Sequence, residues 1–220
     1  MDYTRPCMPS VLLDFLYFVS MNLCAECCIF VCKPIQKKTE MRIEKLDTSS
    51  GDYVRVEQLM RETFPPEERR NEEQQRWTTE HDARFHCNAL YTDNCFVGLL
   101  NCWHLARFVY VEHLAISPEW RGRGLGSQAL EWLKRQTKMP LVLEVEPPVG
   151  ITEQLRVRFY ERNGFVLWTK ALYLQPAYQE GYEPVPLKLM VYGALNEDVD
   201  LDEVRRLIHT SAYGLSVPLL

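Results

Sequence analysis

Between residues 109 and 145 the chain runs strand, glycine-rich turn, helix, strand, and that order restricts the fold more than any other stretch. Residues 109–116 are rich in β-branched and aromatic side chains. Residues 124–136 place Leu125, Leu130 and Leu133 on one helical face, and 141–145 is a short apolar run of the kind buried on both faces of a sheet. Two strands joined through a helix in this way lie parallel, with a right-handed crossover. The turn reads Arg121-Gly122-Arg123-Gly124-Leu125-Gly126. Glycines let its backbone N–H groups approach a ligand, and the helix start adds unpaired N–H groups and positive dipole charge. With Arg121 and Arg123 beside it, such a concavity suits phosphate oxygens. The plainer reading of the same residues is a tight turn with solvated arginines.

Phosphate-binding turns fall into classes that can be tested. A P-loop needs a lysine within G-x-x-x-x-G-K-[ST], and none is in place. A dinucleotide fingerprint needs its glycines directly after a strand and an acid at the end of the next one, a part Glu144 could fill. However, the third glycine position holds Ser127, and residues 117–121 separate the turn from its strand. The rest of the chain also lacks room for a second dinucleotide half.

The remaining segments extend the pattern to a mixed α/β sheet with helices on both faces. Residues 41–46 alternate as a first strand. Val56, Leu59, Met60 and Phe64 give 53–64 a helical spacing. Pro65 and Pro66 end that helix and open another, running to about Arg76, with Glu67 and Glu68 at its positive end. Strands are expected at 85–91 and 96–104, joined by an Asp93-Asn94 hairpin, then a helix at 153–162 closed by Asn163-Gly164. Strands at 165–168 and 187–192 and a helix at 201–208 complete the order. No internal repeat or low-complexity tract is present.

A length of 220 residues suits one well-packed domain, and the sequence divides it into an extension, 1–40, and a domain, 41–220. The net charge of −5 and pI near 5.6 argue against nucleic acid as a partner, including RNA bound through the R-G-R-G turn. Residues 11–32 have the length of a membrane span, but Asp14, Asn22 and Glu26 interrupt them. Membrane association is therefore not expected unless this stretch is a true anchor. An upstream extension preceding a second start at Met41, a membrane anchor and a packing extension all remain open for it. Cys7, Cys24, Cys27, Cys28 and Cys32 lack the second ligand pair of a structural zinc site, so no metal is expected. Cys87, Cys95 and Cys102 read as small buried hydrophobes of a reducing compartment, which points to the cytoplasm.

Leu114-Ala115-Ile116-Ser117-Pro118, followed by Arg121, Gly124 and Gly126, resembles the central motif of the GNAT acetyltransferases. That motif is R/Q-x-x-G-x-G/A after a strand ending in L-x-I/V-x-P. The resemblance covers about residues 41–193. It extends to a group of small, mostly bacterial members with E-H-x-A, L-E-V-E-P-P, F-Y-E-R-x-G-F and Q-P-x-Y segments, here at 112–115, 143–148, 159–165 and 175–178. It implies the GNAT fold, a mixed, mostly antiparallel sheet flanked by helices with a splayed parallel strand pair at its centre. It also implies acetyl-CoA as co-substrate. The N–H groups of the turn, Arg121, Gly122, Arg123, Gly124, Leu125, Gly126 and Ser127, would hold the pyrophosphate. The backbone of Leu114, Ala115 and Ile116 would hold the pantetheine arm.

The implied chemistry is attack of a neutral amine on a thioester. A lysine-like amine has a pKa of about 10.4, so reaching the neutral form near pH 7 costs roughly 4.6 kcal/mol, and a base makes that step productive. Tyr160 falls where the family places the acid near the CoA sulfur; a core aromatic is the alternative. Glu144 ends an apolar strand, where desolvation would raise its pKa. Glu112 precedes Ile116 by four residues and would share its face. Either glutamate is a candidate base, and either could instead be an ion-pair partner. His113 is expected on the opposite face as a packed residue, and Glu146 at a solvated rim. Family analogy nominates Phe64, Glu67, Arg69, Tyr173, Gln175 and Tyr178 for an acceptor that is a small-molecule or peptide amine. No cysteine sits in a nucleophile motif, so transfer is expected to be direct, by a monomer or homodimer. The competing reading is a non-catalytic sensor that only binds acyl-CoA.

Overall fold

The computed structural model describes residues 41–170 and 172–219, so the readings of residues 1–40 lie outside the described residues. The chain begins with β1 (Met41–Lys45), α1 (Tyr53–Thr63) and α2 (Glu72–His81), followed by three strands, β2 (Phe85–Thr92), β3 (Cys95–His104) and β4 (Val109–Ile116). Next come α3 (Leu125–Gln136), β5 (Leu141–Val145), α4 (Ile151–Arg162), β6 (Val166–Leu167), β7 (Tyr173–Gln175), β8 (Val185–Tyr192) and α5 (Glu197–Ser211). Among the described residues no helix is long and apolar enough to cross a membrane.

The strand order is β1-β2-β3-β4-β5-β8-β6, with β7 pairing β8 off this path. Among the described strands only β4 and β5 run parallel, and they are joined through α3 as the crossover rule requires. Asp93 and Asn94 take φ of 49° and 60° in the β2–β3 hairpin, a left-handed conformation that short polar side chains tolerate. One face of the sheet packs on α1 and α5 through residues such as Tyr53, Leu59, Val204 and Ile208. The other packs on α3 and α4 through Leu125, Leu130, Leu133 and Val157.

Two details place the site. Leu143 is the last residue of β5 paired with β4, opposite Val111, and beyond it the two strands diverge. In β4 the pairing with β3 skips a residue: Asn101 faces His113 and Cys102 faces Val111, so Glu112 is the extra residue of a bulge. The bulge overturns the alternation expected for this strand. Leu114 and Ile116 pack toward α3 and α4. Glu112 instead reaches Trp103, and His113 meets Phe64 edge to face, both of which belong to the opposite face. Glu112 and His113 therefore share a face, and Glu112 does not share one with Ile116.

The second helix also departs from expectation. Pro66–Glu68 forms a single 3-10 turn, the backbone is extended at Arg69, and α2 begins afresh behind Asn71. Asn71 and Gln74 form a capping box, which outcompetes the uncapped proline start. The strand at β7 was not expected at all, and α5 begins four residues earlier than its apolar spacing indicated, at a cap supplied by Asn196. Cys87 and Cys102 are buried free thiols. Cys95 is half-buried rather than buried, so the reading as a small buried hydrophobe does not hold for it.

Candidate active site

Where β4 and β5 part, they leave a cavity of about 150 Å³. Its walls include Phe64, Glu68, Glu112, His113, Leu114, Glu144, Arg156, Tyr160, Gln175 and Tyr178. Tyr160 belongs to α4 and packs with the cluster on that side of the sheet, whereas Glu112 and Glu144 bond side chains on the other side. In a closed sheet these groups would be separated by backbone. The open fork lets them share one hollow.

Glu144 is held by three phenols. Tyr110 and Tyr213 donate to its Oε2 at 2.7 and 2.8 Å, and Tyr173 donates to its Oε1. Burial raises its pKa, and the three hydrogen bonds lower it without cancelling the rise. Glu112 has the contrary balance. Burial works against its charge, but Arg70 grips it at 2.9 and 2.8 Å, and the carboxyl ends well below the usual carboxylate range. Trp103 Nε1 and the Tyr178 hydroxyl each donate to the same carboxylate at 3.0 Å.

Burial pushes the Tyr160 phenol up to about 12, with Arg156 opposing and Glu146 reinforcing the rise, so it keeps its proton at neutral pH. Glu68 lines the cavity, and the described residues make no hydrogen bond to its carboxylate. Burial and the charge of Glu146 raise its pKa. Its backbone carbonyl accepts from His113 Nε2 at 3.0 Å. Glu146 ion-pairs with Arg156, a partner that no sequence pattern indicated.

Of the residues nominated for the acceptor, Phe64, Gln175 and Tyr178 line the cavity, and Glu67, Arg69 and Tyr173 do not. The 3-10 turn aims Glu68 inward in place of Glu67, whose carbonyl accepts from Gln175 at 3.3 Å. Arg69 turns back to donate to the Phe64 carbonyl at 3.0 Å, and Tyr173 is spent on Glu144. Arg70, Tyr110 and Tyr213 were missed. Tyr110, two residues from Glu112 along one strand, was the one among them with a readable signal.

The turn after β4 lies at the open end of the fork. Gly122 and Gly124 both have φ of 75°, a conformation costly for residues with a Cβ. Gly124 caps α3 with no side-chain bond, so the N–H groups of the first turn carry no cap from it. A Cβ on Gly126 would lie 3.1 Å from Phe159 Cζ, so glycine lets α3 sit close against α4. Arg121 Nε donates to the Ile116 carbonyl at 3.0 Å, tying the turn to the end of β4. The Arg123 guanidinium lies over Trp120, 4.6 Å from the ring centre. Ser127, one residue beyond Gly126 in the first turn of α3, is half-buried.

A second hollow, of about 380 Å³, is bounded by Arg70, Glu73, Trp77, Asp82, Trp103, Tyr178 and Tyr213 among others. Tyr178 is a wall of both.

A profile of the acetyltransferase (GNAT) family matches residues 53–165. A structure from Bacteroides thetaiotaomicron, named as a GNAT-family acetyltransferase, is 40% identical and covers 80% of this chain and 99% of its own, with a TM-score of 0.76. YjbC of Bacillus subtilis, named as an acetyltransferase, is 40% identical over 60 residues, 26% of this chain; the match spans 31% of that relative's length. Naa50 of Arabidopsis thaliana, in complex with the bisubstrate analogue CoA-Ac-MVNAL, is 18% identical over 70% of this chain and 98% of its own, at a TM-score of 0.50. That last likeness is one of fold.

Proposed function

This chain belongs to the GNAT acetyltransferase family, and from that membership we propose that it moves an acetyl group from acetyl-CoA directly to a primary amine of a small molecule or peptide. The observation that carries the reading is the open fork between β4 and β5. A protonated phenol and a carboxylate of raised pKa share a hollow there, next to a glycine turn at a helix start.

In this reading the N–H groups of residues 121–127 hold the pyrophosphate, with positive dipole charge behind them. The acyl arm lies along Leu114, Ala115 and Ile116 and enters the fork. The amine first loses its ammonium proton to solvent; its nitrogen then bonds to the acetyl carbonyl carbon while a second proton passes to Glu144, directly or through water. The C–S bond then breaks, and Tyr160 gives its proton to the departing thiolate. Glu112, ionised and clamped by Arg70, positions Tyr178 and Trp103 rather than taking a proton. Phe64, Gln175 and Tyr178 contact the acceptor, and Glu68 draws in its ammonium form.

The test is calorimetric titration of the chain with acetyl-CoA, beside an Arg121→Ala/Gly124→Glu variant, followed by an amine screen. Saturable binding lost in the variant, and turnover with an amine, are the expected results. Binding without turnover of any amine would favour a sensor of acyl-CoA. No binding by folded protein would sink the reading.

A further inference from the structure

Away from the fork, the sheet register assembles three metal-ligating side chains. His86 on β2 lies directly opposite Cys102 on β3. His104, two residues along from Cys102, emerges on the same face by the alternation of the strand. The two imidazole centres are 4.2 Å apart, and Cys102 Sγ lies 3.9 Å from His104 Nε2. One ligand atom from each of the three lies within 4.8 Å of the others, and no other such trio occurs among the described residues.

We propose that His86, Cys102 and His104 bind a thiophilic transition-metal ion, Zn²⁺ in the first instance, as two nitrogens and a sulfur with water in the fourth position. Zn–S and Zn–N bonds of about 2.3 and 2.0–2.1 Å set tetrahedral ligand separations at roughly 3.3–3.6 Å. The observed spacings therefore close by small side-chain rotations, with no movement of backbone. The surroundings also suit a metal. The Ala83 backbone lies beside the His86 ring, where an outer partner can orient a ligating imidazole. Asn88 Nδ2 lies 3.9 Å from Cys102 Sγ, where an N–H can support a thiolate. Both imidazoles are half-buried, which leaves an entry path, while the sulfur is buried. The charged neighbours are Glu112, which acts on Cys102, and Lys45, on β1 opposite Asn88. The repulsion of a cation by Lys45 is offset because binding converts the Cys102 thiol to a thiolate and releases that proton to solvent. Trp103, between the two ligands on β3, points to the other face and donates to Glu112, so the ion would grip the strand that holds this donor.

The experiment uses the full chain, reduced and stripped with chelator, and its His86→Gln, His104→Gln and Cys102→Ala variants. Zn²⁺ is titrated by calorimetry, and Co²⁺ is followed through its thiolate charge-transfer and tetrahedral absorption bands. Metal taken up by the cysteines near the N-terminus is common to all four proteins and cancels in the comparison. The wild type should bind one equivalent that each variant loses, or binds more than about tenfold more weakly. The same stoichiometry and affinity in the two histidine variants, both folded by circular dichroism, would overturn the site. So would loss in Cys102→Ala alone.

Discussion

Replacing Glu112 by Gln keeps the volume of the side chain and removes its charge at a place where solvent cannot compensate. The two side chains of the Arg70–Glu112 pair are 7% and 0% exposed. Arg70 would be left with the Ala212 carbonyl, Gln75 Oε1 at 3.5 Å and a neutral amide in place of a bidentate carboxylate. Two unit charges about 4 Å apart at an effective dielectric constant near 20 interact by roughly 4 kcal/mol. Breaking one side of a buried pair costs about 3–5 kcal/mol by experience. For a domain of this size that is a fall in Tm of roughly 6–20 °C. Arg70→Met should cost a similar amount, because it strands the carboxylate. The double variant should cost only about 1–2 kcal/mol, since removing both charges removes the stranded one. Urea unfolding of the four proteins, in reductant and followed by tryptophan fluorescence, gives the cycle. Single effects below about 1 kcal/mol that add within about 0.5 kcal/mol would refute the reasoning. The pH dependence gives a second check. Glu112 is depressed in the folded state, so the unfolded chain binds more protons and the pair stabilises fully above about pH 4.5. The difference between wild type and Glu112→Gln should shrink as pH falls below that value.

Tyr160→Phe should lower kcat roughly a hundred- to ten-thousand-fold with acetyl-CoA affinity unchanged; a full-rate variant would remove the phenol as acid. Because burial raises Glu144, the acid limb of kcat/KM should rise with pH through a value above the ordinary 4.5 of a glutamate, and Glu144→Gln should abolish that limb. Glu68→Gln should instead raise KM for the amine, and steady-state profiles of the two variants that exchange these effects would exchange the assigned roles. Gly126→Val adds atoms where a Cβ already meets Phe159 at 3.1 Å, costing about 1–3 kcal/mol and weakening acetyl-CoA binding more than tenfold by calorimetry. Unchanged affinity would mean that the close approach of α3 to α4 does not shape the turn.

Strands and the crossover were readable because period-2 patterning and a helix between two apolar runs are local properties. Val109–Ile116 and Leu141–Val145 have the bounds expected from composition alone. The failures have one physical origin, which is that side-chain partners at a distance settle local ambiguities. Arg70 sits in a charged run that reads as solvated, and its burial follows from Glu112 forty-two positions away. The break at Arg69 depends on a capping box that the Pro65-Pro66 pair concealed. Glu68 displaced Glu67 because a 3-10 turn rotates side chains differently from the α-helix expected there. The bulge at Glu112 leaves no mark in composition, yet it decides which face two candidate residues occupy. The His86, Cys102 and His104 trio becomes visible only once the register between two strands is known.

Pairing between β4 and β5 ends at Val111 and Leu143, so from Glu112 onward β4 carries a sheet edge inside the molecule. Exposed edges recruit foreign strands and seed aggregation, and proteins usually blunt them with charge, proline or a covering loop. Here the cover includes Phe64, Tyr178 and the rest of the cavity wall. An extended co-substrate laid against this edge would complete the pairing and, by mass action, add about 2.7 kcal/mol of stability at a hundredfold excess over Kd. Loss of the donor would withdraw that stabilisation and leave the inner edge to its side-chain cover alone.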